Sequence, residues 1–171
     1  YPPARINRII PRGDSRRGLM RHMIDGPNLA LISGRQNKSG LINHFFVADC
    51  PNEMKTGEST IQSYHFPLYH YPSAEDLDQT RRINFDSKHY ARLQILAAHP
   101  THNIPNEVAV FDYIYGVLHC PAYRATYAEF LKIDFPRIPW PATPDEFWAV
   151  SAKGTELRKL HLMDLVAIGP T

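Results

Sequence analysis

The chain has 171 residues and a net charge of +2, with 43% hydrophobic and 21% charged residues. This size and composition fit one globular domain, or one with two lobes, and exclude a disordered segment. No apolar run approaches the roughly 18 residues of a transmembrane helix, and the first residues do not form a signal peptide. Because the sequence starts at Tyr1 without a methionine, we expect it to be a piece of a larger protein.

The first 72 residues predict short strands and loops. We expect residues 1–13 to be extended, since three prolines disfavour a helix there. A short helix follows at 16–24, with Asp14 or Ser15 as its cap. The apolar runs at 28–33 (NLALIS) and 44–48 (HFFVA) predict two strands joined by a polar loop at 34–43. A third strand is expected at 61–71, bent or ended near Pro67.

The remaining residues predict helices. An exposed connector at 73–84 precedes a helix that Asp86 or Ser87 caps and that runs to residue 98. A helix opening at Pro105 is expected next, and Pro121 ends it and starts another. A final helix begins at 143–146 and is expected to break at 153–154. The expected inward residues are Val110, Phe111, Ile114, Val117 and Leu118 in the first helix of the central pair, and Tyr123, Tyr127, Phe130 and Leu131 in the second.

Together these elements predict an α+β fold. A small β-rich lobe, with its short strands in a mixed or antiparallel sheet, is followed by a helical lobe. We expect the β-rich part at 1–72, a connector and helix at 73–104, and a helical supporting lobe at 105–171.

Four segments carry a family resemblance. They are YIYGVLHCPAYRATYAEFLKIDFPRIPWP (113–141), RHMIDGPNLALISGRQ (21–36), FPLYHYP (66–72) and GTELRKLHLMDL (154–165). The sequence resembles the C-terminal part of type ISP restriction–modification enzymes, single polypeptides that cut and methylate DNA. It is more loosely similar to the MmeI-like type IIL enzymes. The resemblance covers most of the chain, although 49–62 and 73–104 match only weakly.

In those families this region is the target-recognition, or specificity, domain. The resemblance therefore implies sequence-specific recognition of double-stranded DNA by a fragment that is itself non-catalytic. The parent is expected to be a DNA adenine-N6 methyltransferase and endonuclease with ATP-dependent restriction activity. Its other modules would be this fragment's partners, and they would use S-adenosylmethionine, ATP and Mg²⁺, whereas the fragment itself needs no cofactor.

The sequence lacks the motifs of the expected parent's catalytic modules. It contains no Walker A motif, no GxGxxG opening a helix and no Asn/Asp-Pro-Pro-aromatic tetrad. Two cysteines, Cys50 and Cys120, are too few for a disulfide framework, although a single bridge stays open. The low cysteine count favours a reducing cytoplasm without a membrane partner. The family resemblance implies that the protein is bacterial.

Arginines concentrate near the start of the chain, against one acid, Asp14. Guanidinium groups bind phosphates and guanines in bidentate geometry, so this cluster favours contacts to DNA. A solvated basic face, or a contact to the rest of the parent, is the alternative. The residues predicted to bind phosphate are Arg8, Arg12, Arg16, Arg17 and Arg21, together with Lys38 and Ser39 of the 34–43 loop.

That polar loop carries the side chains suited to reading bases. Arginine pairs with guanine, and glutamine or asparagine pairs with adenine. The predicted base-reading residues are Arg35, Gln36, Asn37, Asn43 and His44. An ordinary polar turn is the alternative. Ser63, Tyr64 and His65 on the third strand are expected to extend this surface, while Arg124 is expected to pair with Glu129 or Asp134.

Two other classes of function stay open. A domain that docks against other modules of the parent, without touching DNA, is consistent with the small net charge. A metal-dependent hydrolase would use two of the nine histidines, such as His65 with His70 or His99 with His102. Neither pair has a companion Cys or His pair at zinc-site spacing, so no metal ligands are predicted.

Overall fold

The computed structural model describes residues 2–11, 16–36, 43–52, 56 and 62–169, with Arg16 and Arg17 described by their backbone only. The described part of the chain is an α+β fold of short antiparallel strands and eight helices, which confirms the expected class. The strands are β1 (Ala4–Arg5), β2 (Ala30–Gly34), β3 (Phe45–Ala48), β4 (Ser63–Pro67), β5 (Tyr69–His70), β6 (Arg82–Ile83) and β7 (Arg137–Ile138). The helices are α1 (Ile6–Ile9), α2 (Arg16–Arg21), α3 (Ser87–Ala97), α4 (Glu107–His119), α5 (Pro121–Thr126), α6 (Ala128–Leu131), α7 (Pro144–His161) and α8 (Leu165–Ile168).

The N-terminal segment packs against the far end of the chain. Strand β1 pairs antiparallel with β7, so that Ala4 lies opposite Ile138. Helix α1 follows and buries Ile6 and Ile9. The expectation that 1–13 is wholly extended is therefore wrong at 6–9. Although prolines flank this stretch, the apolar residues between them gain more by packing one helical turn into the core.

The central sheet has the strand order β3-β2-β4, and both pairs are antiparallel. Leu31 of β2 lies opposite Val47 on one side and Phe66 on the other. These strands confirm the three predicted ones, with ends shifted by one or two residues. The third ends at Pro67, as expected, and the short strand β5 then pairs with β6 inside the predicted connector.

Helix α3 starts as predicted, with the Asp86 carboxylate accepting hydrogen bonds from the backbone N–H groups of Lys88 and His89. Helix α4 begins at Glu107, two residues later than the expected start at Pro105. Its N-cap is Asn106, whose side chain accepts from the Ala109 N–H. Pro105 therefore precedes the cap and does not occupy the first helical position. Every residue of α4 from Val110 to Leu118 is buried, so this helix is the centre of the molecule.

Pro121 opens α5 as predicted, but the second helix of the pair is interrupted at Tyr127. Tyr123 and Leu131 are buried, which agrees with their predicted inward positions. Tyr127 is 39% exposed, so its expected place in the core is wrong. The interruption turns the chain between the two short helices and leaves this tyrosine at the surface, although its ring still contacts Tyr123 at 5.0 Å between centroids.

Helix α7 runs unbroken from Pro144 to His161, so the predicted break at 153–154 is wrong. Gly154 lies where α7 crosses α4, and an added Cβ there would come within 1.8 Å of the Asp112 backbone oxygen. The glycine thus permits a close helix crossing. Beside it, the buried Asp112 carboxylate accepts two hydrogen bonds from Arg158, at 2.5 and 2.9 Å, and one from Thr155 at 2.7 Å.

One hydrophobic core joins the parts of the chain predicted as separate lobes. It contains Ile6, Leu31, Phe66, Phe111 and Phe147, which come from the N-terminal segment, the sheet and two helices. The division at residues 72 and 104 stays a prediction. Within the described residues, the helices are all too short or too polar to cross a membrane.

Candidate nucleic-acid interface

The first residues of the predicted base-reading loop directly follow β2 and rest on the helical part. Arg35 Nε lies 3.6 Å from Asp134 Oδ1, and Gln36 Nε2 donates a 3.4 Å hydrogen bond to the Ile133 carbonyl. Both side chains are exposed. The loop base is therefore attached to the helical part, while its polar groups face solvent.

The other end of the loop lies at the same edge of the sheet. Because Ser33 pairs with Phe45, the residues just after β2 and just before β3 are neighbours. Asn43 is exposed there and His44 is half-buried. The structure thus brings Arg35, Gln36, Asn43 and His44 to one end of the β2–β3 pair. The predicted residues Asn37, Lys38 and Ser39 lie outside the described residues.

Asp134 connects this loop to the N-terminal segment. Its second carboxylate oxygen, Oδ2, lies 3.0 Å from a terminal nitrogen of Arg5, and the carboxylate group is largely shielded, with its side chain 16% exposed. Two arginines separated by thirty residues of sequence therefore share one acid. Both guanidinium groups remain partly exposed, at 40% for Arg5 and 60% for Arg35.

Arg8, a predicted phosphate ligand, is exposed at the end of α1 and lines an open cleft of about 970 Å³. The cleft lies between the N-terminal segment, α3 and the β7 region. The cleft is also lined by four cations that the sequence analysis did not propose as DNA-binding residues: Arg5, Lys88, Arg92 and Arg137. The spacing of Lys88 and Arg92, four residues apart on one helix, is a usable signal because it places them on the same face.

The remaining predicted phosphate ligands are placed differently. Arg21 donates 3.0 Å hydrogen bonds to the carbonyls of Tyr71 and Pro72, and it lies 3.5 Å from Asp25. Its guanidinium therefore holds α2 against the segment after β5. Arg12 and the side chains of Arg16 and Arg17 lie outside the described part of the chain.

Two histidines near Arg21 have lowered pKa values. The rings of His22 and His70 stack with centroids 4.5 Å apart, and His22 Nδ1 accepts a 3.0 Å hydrogen bond from the Tyr71 N–H. Burial, followed by the charges of His70 and Arg21, lowers the pKa of His22 from 6.5 to about 4. Burial, and then Arg21, also lowers the pKa of His70. This pair is a packing contact beside the sheet.

The residues of β4 that were expected to extend the base-reading surface are mostly buried. Ser63 and His65 are buried, at 9% and 4% exposed, and Tyr64 packs edge-on against Phe135. Tyr69 is also buried, where burial, and then its hydrogen bond to Glu107, raise its pKa to about 12. Apart from the half-buried Tyr64, these residues support the sheet from inside.

Arg124 does not pair with the acids predicted for it. Its Nε donates a 2.6 Å hydrogen bond to the Leu118 carbonyl, and a terminal nitrogen lies 3.0 Å from His119 Nδ1. Helix α4 leaves its last carbonyls unsatisfied, and Arg124 on the next helix is close enough to satisfy one. Asp134 instead forms ion pairs with Arg5 and Arg35, and Glu129 forms one with Lys132.

Among the described residues, His, Cys, Asp and Glu side chains form no group of three suited to a metal ion. The rings of His99 and His102 lie 5.0 Å apart, and His102 stacks on Trp148. His65 is buried in β4. Within the described residues, neither histidine pair named for the hydrolase alternative belongs to a group of three such side chains that could hold a metal ion.

A family model and two of three solved structures name type ISP proteins. The sequence model of the type ISP C-terminal specificity domain matches residues 6–170. The chain is 27% identical to a chain in a cryo-EM structure of a DrdV–DNA complex, with a TM-score of 0.60, and the match covers 80% of this chain and 12% of that one. It is 27% identical to a nuclease-deletion mutant of the type ISP enzyme LlaGI in complex with a DNA substrate mimic, with a TM-score of 0.54 and coverages of 81% and 8%.

A third structure, of the ATP-dependent type ISP enzyme LlaBIII bound to DNA, shares the fold. Its identity is 21% and its TM-score 0.61, over 81% of this chain and 8% of that one. No match is found among the curated proteins. In length, the sequence spans 12% of the first of these structural relatives and 8% of the other two. Because the specificity-domain model covers nearly the whole sequence, the chain belongs to the family of type ISP C-terminal specificity domains.

Proposed function

We propose that this domain recognises a DNA target sequence on behalf of a restriction–modification enzyme. The observation that carries the proposal is the specificity-domain match over residues 6–170. Two structural relatives at 27% identity are complexes with DNA or a DNA mimic. The domain binds and does not catalyse.

In this proposal the loop after β2 reads base edges in the major groove, and basic side chains around it hold phosphates. Arg35 and Gln36 are exposed at the edge of the sheet, and their contacts to Asp134 and Ile133 restrain the loop base. Such a restraint reduces the conformational entropy that binding would remove. An arginine positioned in this way suits bidentate contact with guanine.

The parent enzyme is proposed to methylate an adenine at N6 and to restrict DNA with ATP. S-adenosylmethionine, ATP and Mg²⁺ would bind in modules outside this chain, which would be its protein partners. A bacterial cytoplasmic location follows from the same proposal. One structural relative, LlaBIII, is itself an ATP-dependent restriction–modification enzyme, which supports this assignment.

The proposal is tested by selecting bound duplexes from a random DNA pool with the chain. We expect one sequence motif to be enriched. Arg35→Ala should cost roughly 1–3 kcal/mol on that motif and relax one base position, because alanine cannot make the bidentate contact. Arg82→Ala is the matched control, since Arg82 is exposed and pairs locally with Asp78.

Phosphate contacts should behave differently from base contacts. Arg16→Ala combined with Arg17→Ala should weaken binding to all sequences alike and flatten its salt dependence. If this pair and Arg35→Ala both lower affinity uniformly, the division between base-reading and phosphate-binding residues is wrong.

Docking within the parent enzyme is the second candidate. The observation that favours it is the apolar C-terminal helix α8, where Leu165 is 83% and Val166 93% exposed. Exposed apolar residues of this kind suit a protein contact. If the chain binds no duplex even at low salt, docking becomes the better account. A hydrolase that uses the histidines has no support from the family or from the described residues.

A further inference from the structure

We propose that the cleft beside α3 binds the phosphate backbone of the DNA flanking the recognised bases. This basic cleft is defined by the side chains of Arg5, Arg8, Lys88, Arg92 and Arg137, with Trp140 in its wall. The inference rests on the proposed function and adds a phosphate-binding surface that includes α3 and β7.

The charged side chains that line the basic cleft are all positive. Five of its lining residues are arginine or lysine, and no described lining residue is a carboxylate. Neither Arg8 nor Lys88 has an ion-pair partner among the described residues, and both are exposed. The domain as a whole carries a net charge of only +2, so this concentration of positive charge is local. Concave basic surfaces attract polyanions more strongly than the net charge suggests.

The fold keeps like charges close together in the cleft. Arg5 of β1 lies directly opposite Arg137 of β7. Like charges at opposite positions of an antiparallel pair are destabilising. Asp134 compensates Arg5, but the buried Nε of Arg137 has no hydrogen-bond partner among the described residues. An anion in the cleft would relieve this repulsion.

The wall of the cleft is preorganised. The guanidinium of Arg92 lies 4.8 Å from the centre of the Trp140 ring, and His89 stacks on the same ring with centroids 5.9 Å apart. Trp140 Nε1 in turn donates a hydrogen bond to the Pro2 carbonyl at 3.1 Å. These contacts hold Arg92 in place before a ligand arrives, which lowers the entropy cost of binding.

The position of the cleft identifies its occupant. Arg5 lines the cleft and shares Asp134 with Arg35, the first of the predicted base-reading residues. A duplex whose bases face that loop would therefore bring a neighbouring strand of phosphates to the cleft. Arginine and lysine are the side chains that commonly make such contacts, and the contacts set the orientation of the duplex.

The test measures duplex binding by the chain against salt concentration. Each phosphate that a cation no longer neutralises should reduce the slope of log K against log salt by about one, so Lys88→Gln with Arg92→Gln should reduce it by about two. Affinity should fall equally on the selected motif and on random duplex. Lys88→Gln alone should reduce the slope by about one. Because Lys88 is exposed, this single change should leave the protein folded, so a reduced slope reports lost phosphate binding. Lys153→Gln with Lys159→Gln removes the same charge from exposed positions of α7 outside the cleft and should leave the slope unchanged.

The outcomes separate the two proposals. If wild type binds duplex with a salt-dependent affinity and the cleft variants match it, the cleft assignment is wrong and DNA recognition stands. If wild type binds no duplex at low salt, DNA recognition itself fails. If the cleft variants lose binding to a poly-glutamate peptide but keep the duplex slope, the cleft is a protein-docking surface and the phosphate assignment is overturned.

Discussion

Arg35 Nε lies 3.6 Å from Asp134 Oδ1, so the first of the predicted base-reading residues contacts the segment that follows α6. The ion pair is partly exposed and contributes little to stability on its own. Its consequence is positional, because the other carboxylate oxygen of Asp134 holds Arg5 beside the basic cleft. One acid thus sets the relative placement of a predicted base contact and a predicted phosphate contact.

Replacing Asp134 by asparagine should reduce sequence discrimination. Arg35 would lose its anchor, which should weaken binding to the selected motif relative to random duplex, and loss of one negative charge should strengthen binding to random duplex. The measurement is the ratio of the two affinities by fluorescence anisotropy. Glu129→Gln is the matched control, because Glu129 is an exposed acid paired with Lys132. An unchanged ratio in Asp134→Asn would show that the acid does not position Arg35.

Gly154→Ala should destabilise the fold. At an exposed helix position this change would stabilise by up to about 1 kcal/mol. Here the new Cβ would lie 1.8 Å from the Asp112 backbone oxygen and 3.0 Å from the Gly116 nitrogen, so α4 and α7 must move apart. We expect a loss of about 1–3 kcal/mol, typical of overpacking, in urea unfolding. Lys153→Ala, at the exposed neighbouring position, should stay within about 0.5 kcal/mol of wild type. A stabilised Gly154→Ala variant would contradict the close crossing.

Asp112→Asn should also destabilise the helix pair. The carboxylate is 2% exposed and accepts hydrogen bonds from Arg158 and Thr155, and its loss leaves the Arg158 charge without its partner. Breaking a buried pair from one side costs about 3–5 kcal/mol. Glu156→Gln, which removes an exposed acid paired with Lys153, should cost less than about 1 kcal/mol. Equal losses in the two variants would show that burial does not matter at Asp112.

Acid should weaken the packing around His22. Burial, followed by the charge of His70, holds the pKa of His22 at about 4, below its ordinary 6.5. Above about pH 6.5 neither state is protonated and this histidine leaves stability unchanged. As the pH falls from 6.5 towards 4, His22 binds a proton in the unfolded chain but stays mostly unprotonated in the folded chain. The free energy of unfolding therefore declines.

The measurement is urea unfolding between pH 7 and pH 4. His22→Asn removes the titrating group while keeping an acceptor for the Tyr71 N–H, so it should lose part of the acid sensitivity. Identical pH profiles for wild type and His22→Asn would contradict the assignment. An NMR titration in which His22 of the folded protein is fully protonated at pH 6 would also contradict the lowered pKa.

The elements that the sequence predicts well have strong local signals. The runs 28–33 and 44–48 form β2 and β3 because their apolar residues fill the two faces of a buried sheet. Pro121 and Pro144 open helices because their missing N–H groups cost nothing there. The break predicted at Gly154 is wrong for a physical reason. A glycine weakens an isolated helix, but only the packed structure shows that α4 needs the space that its absent side chain leaves.

The candidate site depends on contacts that no local pattern encodes. The pairing of β1 with β7 joins residues more than 130 positions apart, and it is this pairing that places Arg5 beside Asp134 and Arg137. The sequence predicts that Arg124 pairs with an acid. In the structure Arg124 instead donates a hydrogen bond to the Leu118 carbonyl at the end of α4. The position of Arg35 at the edge of the β2–β3 pair could be predicted from the hairpin, but its anchor on Asp134 could not.

The central claim, that the chain recognises DNA through the surface around Arg35, is tested most directly by selection from a random duplex pool at low salt. We expect wild type to enrich one motif, and Arg35→Ala to enrich that motif with one base position relaxed. Binding without enrichment, or an unchanged motif in the variant, would contradict recognition through Arg35. Absence of any duplex binding at low salt would contradict DNA recognition by this domain altogether.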